Sequence, residues 1–325
     1  MTRPYIGQHC EDVATGTLLG GVGCDLSEPM IFGLGESLGF VFLNLSTMPL
    51  GFIGGRSKPF ELTLAACKNL GLTCTVEETT STTRSWDRLS AHLDAGRPVG
   101  LQLDCYYLPY FTRPPHFAGH FVAATDRAGD EVTVVDTFPQ GTVQRVPRAA
   151  LERARHAKGP LSARARSYTI SGTVRHDLPT GIATALRSNA QSYLAPAFGG
   201  MGALGLAKLA RVIPGWLTAT DSPSEDLRLV AELMERGGTG GALFRNLYRD
   251  FLAEAAELLP DSAPTILRAR TQIAHSAENW STMAAHLEAC AADGDVAHLT
   301  AAAALCRPIA DAEVAAMTLL ASVGS

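Results

Sequence analysis

The spacing of apolar residues changes twice along this chain, and each change marks a different kind of structure. Between Cys10 and Val22, residues Ala14, Leu18, Leu19 and Val22 recur at the interval of one helix face, so a helix begins at Cys10. Residues 61–71 and 85–96 also read as helices, each closed by glycine, with the strand-like LTCTVEE between them. The period then drops to two. VGLQLDCYYL, HFVAATD and EVTVVDTF read as strands, the last two joined by the turn RAGD, and SYTISG adds a fourth. After about residue 175 the alternation stops. Segments 202–213, 224–236, 242–259 and 264–290 are rich in Ala, Leu, Glu and Arg, with glycine or proline between them. The pattern predicts an α+β domain over residues 1–174, helices plus an antiparallel sheet, and an all-helical C-terminal domain over 175–325.

Composition narrows the function. The chain is 46% hydrophobic and 18% charged, which suits sizeable cores and argues against disorder. A net charge of -5 argues against nucleic-acid binding, which usually needs a basic surplus. The start MTRPYIGQHCEDV lacks a signal-peptide core and no apolar run reaches membrane-spanning length, so a cytoplasmic protein without a membrane partner is expected. Seven dispersed cysteines without CxxC pairs indicate neither a disulfide framework nor a zinc knuckle.

The chemistry concentrates at three positions. If HFVAATD and EVTVVDT form a hairpin, His120 and Asp136 sit at the same end of neighbouring strands, where the carboxylate can orient the imidazole. Cys10 supplies a nucleophile at a helix start, where unpaired N–H groups and the helix dipole favour a thiolate. Glu11 and Asp12 in the same turn oppose that, so a nearby imidazolium is required. Gln8 offers an amide donor for an oxyanion.

These residues carry a family resemblance. HCEDVATGTLLGGVGCDLSEPMIFGLGESLGFVF, followed by GLQLDCYYLPYF, HFAGHFVAATD and VTVVDT, resembles the family of butirosin biosynthesis protein H. The stretch GGALFRNLYRDFLAEAAELL resembles the helical domain of unknown function that commonly follows it. The resemblance implies a papain-like cysteine-peptidase core, similar to the bacteriocin-processing peptidase domains of ABC exporters, with Cys10, His120 and Asp136 as catalytic residues. It also implies the family namesake's activity, transfer of an aminoacyl group from an acyl carrier protein to an aminoglycoside amine. The expected partners are then an acyl carrier protein and a small-molecule amine, with a homodimer left open. No metal or cofactor is expected beyond the phosphopantetheine arm that the carrier protein brings.

Rival motifs are weaker. GESLG matches a nucleophile elbow around Ser37, but FVFLNLS after it does not read as the helix an elbow requires. Gly35 and Ser37, with Tyr106, Tyr107 and His116, are read instead as substrate-binding positions. His116 and His120 have zinc-helix spacing without a helix, and RGGTGG at 236–241 reads as an interhelical turn rather than a phosphate loop. Residues 145–168 hold seven Lys or Arg against one Glu, a solvated face or a dock for an acidic carrier protein. A cysteine peptidase, amidase, thioesterase or thioester cyclase would use the same three residues, and an inert scaffold is the remaining alternative.

Overall fold

The computed structural model describes residues 3–44, 48–112, 114, 116–159, 161–237 and 240–324. In chain order the first elements are α1 (Cys10–Gly20), α2 (Glu28–Leu34), β1 (Leu38–Leu43), β2 (Phe52–Arg56), α3 (Glu61–Leu70) and β3 (Thr73–Glu77). There follow α4 (Thr82–Asp94), β4 (Val99–Leu103), β5 (His120–Ala128), β6 (Glu131–Val135), β7 (Val143–Pro147), α5 (Arg148–His156) and β8 (Ser167–Ser171). Helices complete the chain: α6 (Leu178–Leu194), α7 (Gly202–Val212), α8 (Pro223–Glu235), α9 (Ala242–Leu258), α10 (Ala263–Asp293) and α11 (Val296–Leu320). Two compact units result, one of Met1–Ile31 with Pro59–Asp177, the other of Phe32–Lys58 with Leu178–Ser325. The α+β character and the helical C-terminal part stand as the apolar periods predict. Strands β1, β2 and β7 and helices α2, α5, α6 and α11 are additional to the segments read from sequence.

The first unit is built on an antiparallel sheet of strand order β3-β8-β4-β5-β6-β7. Trp86, Leu89 and Leu93 of α4 and Leu151 and Ala154 of α5 share one core with Val99, Leu101, Val122, Ala124, Val132 and Val134 of the strands. That is the period-two pattern meeting two helix faces. The turn after Ala128 fits a two-residue hairpin, because Gly129 takes the positive φ of 60° that its first position needs. Helix α1 differs from expectation. Every residue from Glu11 to Leu19 is buried, so it is a central helix enclosed on all sides rather than an amphipathic one. Gly16 lies where a Cβ would stand 2.5 Å from the Tyr5 ring.

The second unit takes in residues 32–58, which the sequence pattern groups with the N-terminal domain. The reason lies in β1, whose Leu38, Phe40 and Phe42 alternate inward. Phe40 meets Trp280 of α10 with ring centroids 5.7 Å apart, and the Phe42 N–H donates to the Gly200 carbonyl. Phe32 stacks on Phe244 of α9. At the unit's centre, buried Arg245 donates to the carbonyls of Gly39 and Gly55 on the hairpin and pairs with buried Glu313 of α11. Gly238 and Thr239 of the RGGTGG motif lie outside the described residues. Among the described residues no helix is long and apolar enough to cross a membrane.

Candidate active site

Cys10 is the first residue of α1, so its N–H has no acceptor within the helix. The loop before it is held from two directions. Glu28 Oε1 accepts the N–H groups of Gln8 and His9, both at 2.7 Å, and the Phe138 N–H donates to the Gly7 carbonyl at 2.8 Å. Gly7 leaves room for that clamp, since a Cβ there would stand 2.9 Å from the Glu28 carboxyl. Burial lifts the Glu28 pKa, although the two N–H donors pull the other way. The Phe138 bond joins the approach to Cys10 to the chain just after Asp136.

The acids expected to oppose a thiolate at Cys10 have other partners. Glu11 turns to the start of α3 and accepts from the Phe60 N–H, the Thr63 N–H and the Thr63 hydroxyl. It serves as a cap from a distant helix, satisfying N–H groups that α3 cannot satisfy itself. Asp12 lies 2.7 Å from His9 Nδ1 across the first turn. Their charges are absorbed locally, so the opposition predicted from sequence is much reduced.

His120 opens β5 and Asp136 follows β6. Register decides that they meet. Val134 pairs with Ala124 and Val135 with Ala123, while Thr133 pairs with Asp126, so β5 holds one extra residue, Thr125, as a bulge. Extending the ladder places Asp136 opposite Val122, on the face that His120 shares; without the bulge it would fall on the other face. His120 Nε2 lies 2.8 Å from Asp136 Oδ2. The other ring nitrogen is Nδ1, and the Cys10 side chain lies near enough to the ring to raise its pKa. Phe111 meets the ring edge-on at 5.2 Å.

Asp136 is fully buried and saturated with donors. Its Oδ2 also accepts the Tyr110 hydroxyl at 2.7 Å, and its Oδ1 accepts the Thr137 N–H at 2.7 Å. Burial and the Asp136 charge push the Tyr110 pKa up, so the phenol stays a donor. For His120, burial works against the charged ring. The charge of Asp136, the interaction with Cys10 and the hydrogen bond to Asp136 outweigh it, and its pKa lies well above the ordinary histidine value. An imidazolium held through neutral pH beside a thiol is the arrangement that stabilises a thiolate.

The other predicted positions divide between the units. Gln8 is exposed, two residues before Cys10, with its backbone fixed by Glu28. Tyr106, Tyr107 and His116 belong to the unit that carries Cys10. His116 Nδ1 lies 2.9 Å from Asp104, so His116 and His120 turn to different carboxylates. Gly35 and Ser37 belong to the other unit, where Ser37 is fully buried and donates to the Gly35 carbonyl at 3.1 Å. Sequence reasoning missed Tyr110, Glu28 and Asp104. Tyr110 sits in the apolar stretch YYLPYF and reaches Asp136 only through the fold, so no local signal marks it.

Comparison with known families finds two matches, whose bounds differ from those of the two units. Residues 9–137 match the family described as butirosin biosynthesis protein H, N-terminal, and residues 149–320 match the domain of unknown function DUF4872. No curated protein matches the chain.

Proposed function

The chain belongs to the family of butirosin biosynthesis protein H, a membership that points to a biosynthetic enzyme of secondary metabolism, and from it we propose a cysteine-dependent acyltransferase with a papain-like core. The supporting observation is the Cys10–His120–Asp136 arrangement, a helix-borne thiol near an imidazole that a buried carboxylate holds at 2.8 Å. Cys10 Sγ attacks the carbonyl carbon of a carrier-protein thioester. The tetrahedral oxyanion is held by the Cys10 N–H and the Gln8 amide. The C–S bond to the phosphopantetheine arm breaks, and the departing thiolate takes the proton from His120. That leaves acyl-Cys10 and a neutral imidazole. An amine then attacks, His120 takes a proton from its nitrogen, and the amide leaves with the thiolate–imidazolium pair restored.

Intact mass tests the scheme. Mixing the protein with acyl-loaded carrier protein should give one acyl adduct on Cys10 that persists without acceptor and disappears when the correct amine is added. An adduct that hydrolyses at one rate whatever amine is offered, or efficient cleavage of unactivated peptides, would transfer the assignment to a hydrolase.

The basic segment gives the donor a docking surface, with fewer residues than its sequence suggests. Arg155 is fully buried and donates to the carbonyls of Ser85 and Ala165. Arg148 lies over Trp86 and pairs with Glu152, and Arg166 lies over Phe60 and pairs with Glu78. Arg145, Arg153, Lys158 and Arg164 remain exposed. Changing these four to Glu should lower kcat/KM for the acyl-carrier substrate by roughly 10–100-fold, more at low salt, through lost electrostatic steering. Turnover of a small free thioester should not change. Equal losses with both donors would place the effect elsewhere.

A further inference from the structure

We infer that His116, held by Asp104, is the base that removes the first proton from the ammonium form of the acceptor, an assignment that rests on the transferase reading above. Two Asp–His pairs stand at one end of the sheet. Leu103 pairs with His120 across β4 and β5, so Asp104, the next residue, begins beside the His120 strand end. The Cys105 N–H donates to the Phe117 carbonyl, which closes the segment bearing His116 onto the same strand end. Burial lifts the Cys105 thiol to about 11, and its ionisation also feels His120, Asp104, Cys10 and Asp136, which surround it.

The two pairs differ in exposure. The His120 side chain is 9% exposed against a fully buried Asp136, whereas the His116 side chain is 60% exposed against an Asp104 of 4%. Asp104 is a fixed anchor. Its Oδ1 accepts the N–H groups of Tyr106 and Phe117, and its own N–H donates to the Ala154 carbonyl. Its Oδ2 lies 2.9 Å from His116 Nδ1. A buried carboxylate accepts, so Nδ1 carries the hydrogen and Nε2 is the acceptor. The Tyr106 ring stacks on the imidazole with centroids 3.8 Å apart, and Tyr107 meets it edge-on at 5.7 Å. The imidazole is thereby held through Nδ1 and one ring face, while 60% of its side chain stays exposed.

Proton accounting gives that nitrogen a task. An aliphatic amine arrives at neutral pH as an ammonium ion and must lose two hydrogens to become an amide. After acylation His120 is neutral and takes one, the proton shed when the nitrogen bonds to the acyl carbon. The other must leave before attack, because the ammonium nitrogen has no lone pair. His116 Nε2 accepts it, giving R–NH2 and an imidazolium whose charge Asp104 offsets, and its exposure lets the proton pass on to water. The aromatic rings of Tyr106 and Tyr107 suit an incoming cation as well. The acceptor class this selects is a protonated primary amine.

The test separates the two half-reactions. Wild type and His116→Gln are loaded at Cys10 with an N-acetylcysteamine thioester, followed by intact mass, and then discharged with either n-butylamine, an ammonium ion at neutral pH, or hydroxylamine, which is already neutral. His116→Gln should load at the wild-type rate, discharge to butylamine roughly 100-fold more slowly, as loss of a general base does, and discharge to hydroxylamine unchanged. Equal slowing with both nucleophiles, or loading that falls in step, assigns His116 a structural role and overturns the inference. Butylamine discharge that survives the substitution overturns it also. A wild-type adduct that no amine discharges instead removes the transferase reading itself, and a His120→Ala control that loads poorly shows that the two histidines act in different steps.

Discussion

Replacing Cys10 by alanine should abolish both the acyl adduct and turnover, a loss of roughly 10⁴-fold or more, as expected for removal of a nucleophile. Alanine at Cys24, Cys67, Cys74, Cys105, Cys290 or Cys306 should leave the chemistry in place. The asymmetry is physical. Burial pushes the thiols of Cys105 and Cys306 to about 11 and about 12, and it also raises those of Cys24 and Cys290. Each therefore stays protonated and weakly nucleophilic at neutral pH. Cys67 and Cys74 share a hydrogen bond that raises the first and lowers the second. Cys74, half-buried on β3, is thus the one rival for alkylation, and iodoacetamide labelling has to be read by peptide rather than by total mass. Only Cys10 combines partial exposure, a helix start and an electrostatic interaction with the His120 ring. If Cys10→Ala keeps its turnover while Ser37→Ala loses it, the nucleophile is the serine of GESLG. Ser37 would then have to leave the buried site where its hydroxyl serves the Gly35 carbonyl.

How much of this could be read in advance depends on the range of the interactions. Five strands of the sheet, β3, β4, β5, β6 and β8, were legible because a half-buried strand writes its own period, and so was the hairpin that carries His120 and Asp136. The bulge at Thr125 was not, although it sets which face Asp136 takes, because nothing in HFVAATDRAGDEVTVVDT marks an unpaired residue. Cys10 was legible as a helix start. The central position of α1 was not, since Glu11, Asp12, Thr15 and Thr17 look like a polar face until their partners are known. Thr15 meets the Thr63 hydroxyl, Thr17 donates to the Val13 carbonyl, and Glu11 and Asp12 are bound as described. Every one of these is a buried polar group with a partner, which composition alone cannot distinguish from an exposed one. Tyr110 and Asp104 were hidden for the same reason. Their partners lie 26 and 12 residues away and meet them only through the sheet.

The placement of residues 32–58 is the clearest case of long range, and it leads to the largest stability effect expected in the chain. Glu313→Gln should destabilise the second unit by about 3–5 kcal/mol, the cost of stranding a buried charge. Glu313 gathers its partners from three helices besides its own. It accepts from Arg245 Nε and Nη2 at 2.8 and 2.9 Å, from the Ser276 hydroxyl at 2.6 Å, from Trp280 Nε1 at 3.2 Å and from the Tyr193 hydroxyl. Arg245 then carries that anchorage to the hairpin, donating to Gly55 and Gly39 at 3.2 and 3.1 Å. Gly55 admits it, since a Cβ there would stand 2.7 Å from Nη1. Glutamine keeps the volume but removes the charge, leaving the guanidinium with carbonyl partners and no counter-ion. Acid should act in the same direction. Burial alone would raise the Glu313 pKa, but Arg245 and the hydroxyl donors outweigh it and hold it below the ordinary carboxylate value. A carboxyl depressed by folding contributes stability above its unfolded pKa, and loses that contribution as pH falls through the folded value. Urea unfolding followed by tryptophan fluorescence in a Trp86→Phe background, which leaves only tryptophans of the second unit, measures both effects at neutral and at acid pH. The wild type should lose stability in acid while Glu313→Gln, already without the charge, shows a flatter profile. The paired change Arg245→Met with Glu313→Leu should recover much of the loss, because it removes both charges together. A loss under about 1 kcal/mol for Glu313→Gln would mean that the hairpin is held by Phe32, Phe40 and Phe42 alone, with the ion pair a passenger in an apolar core.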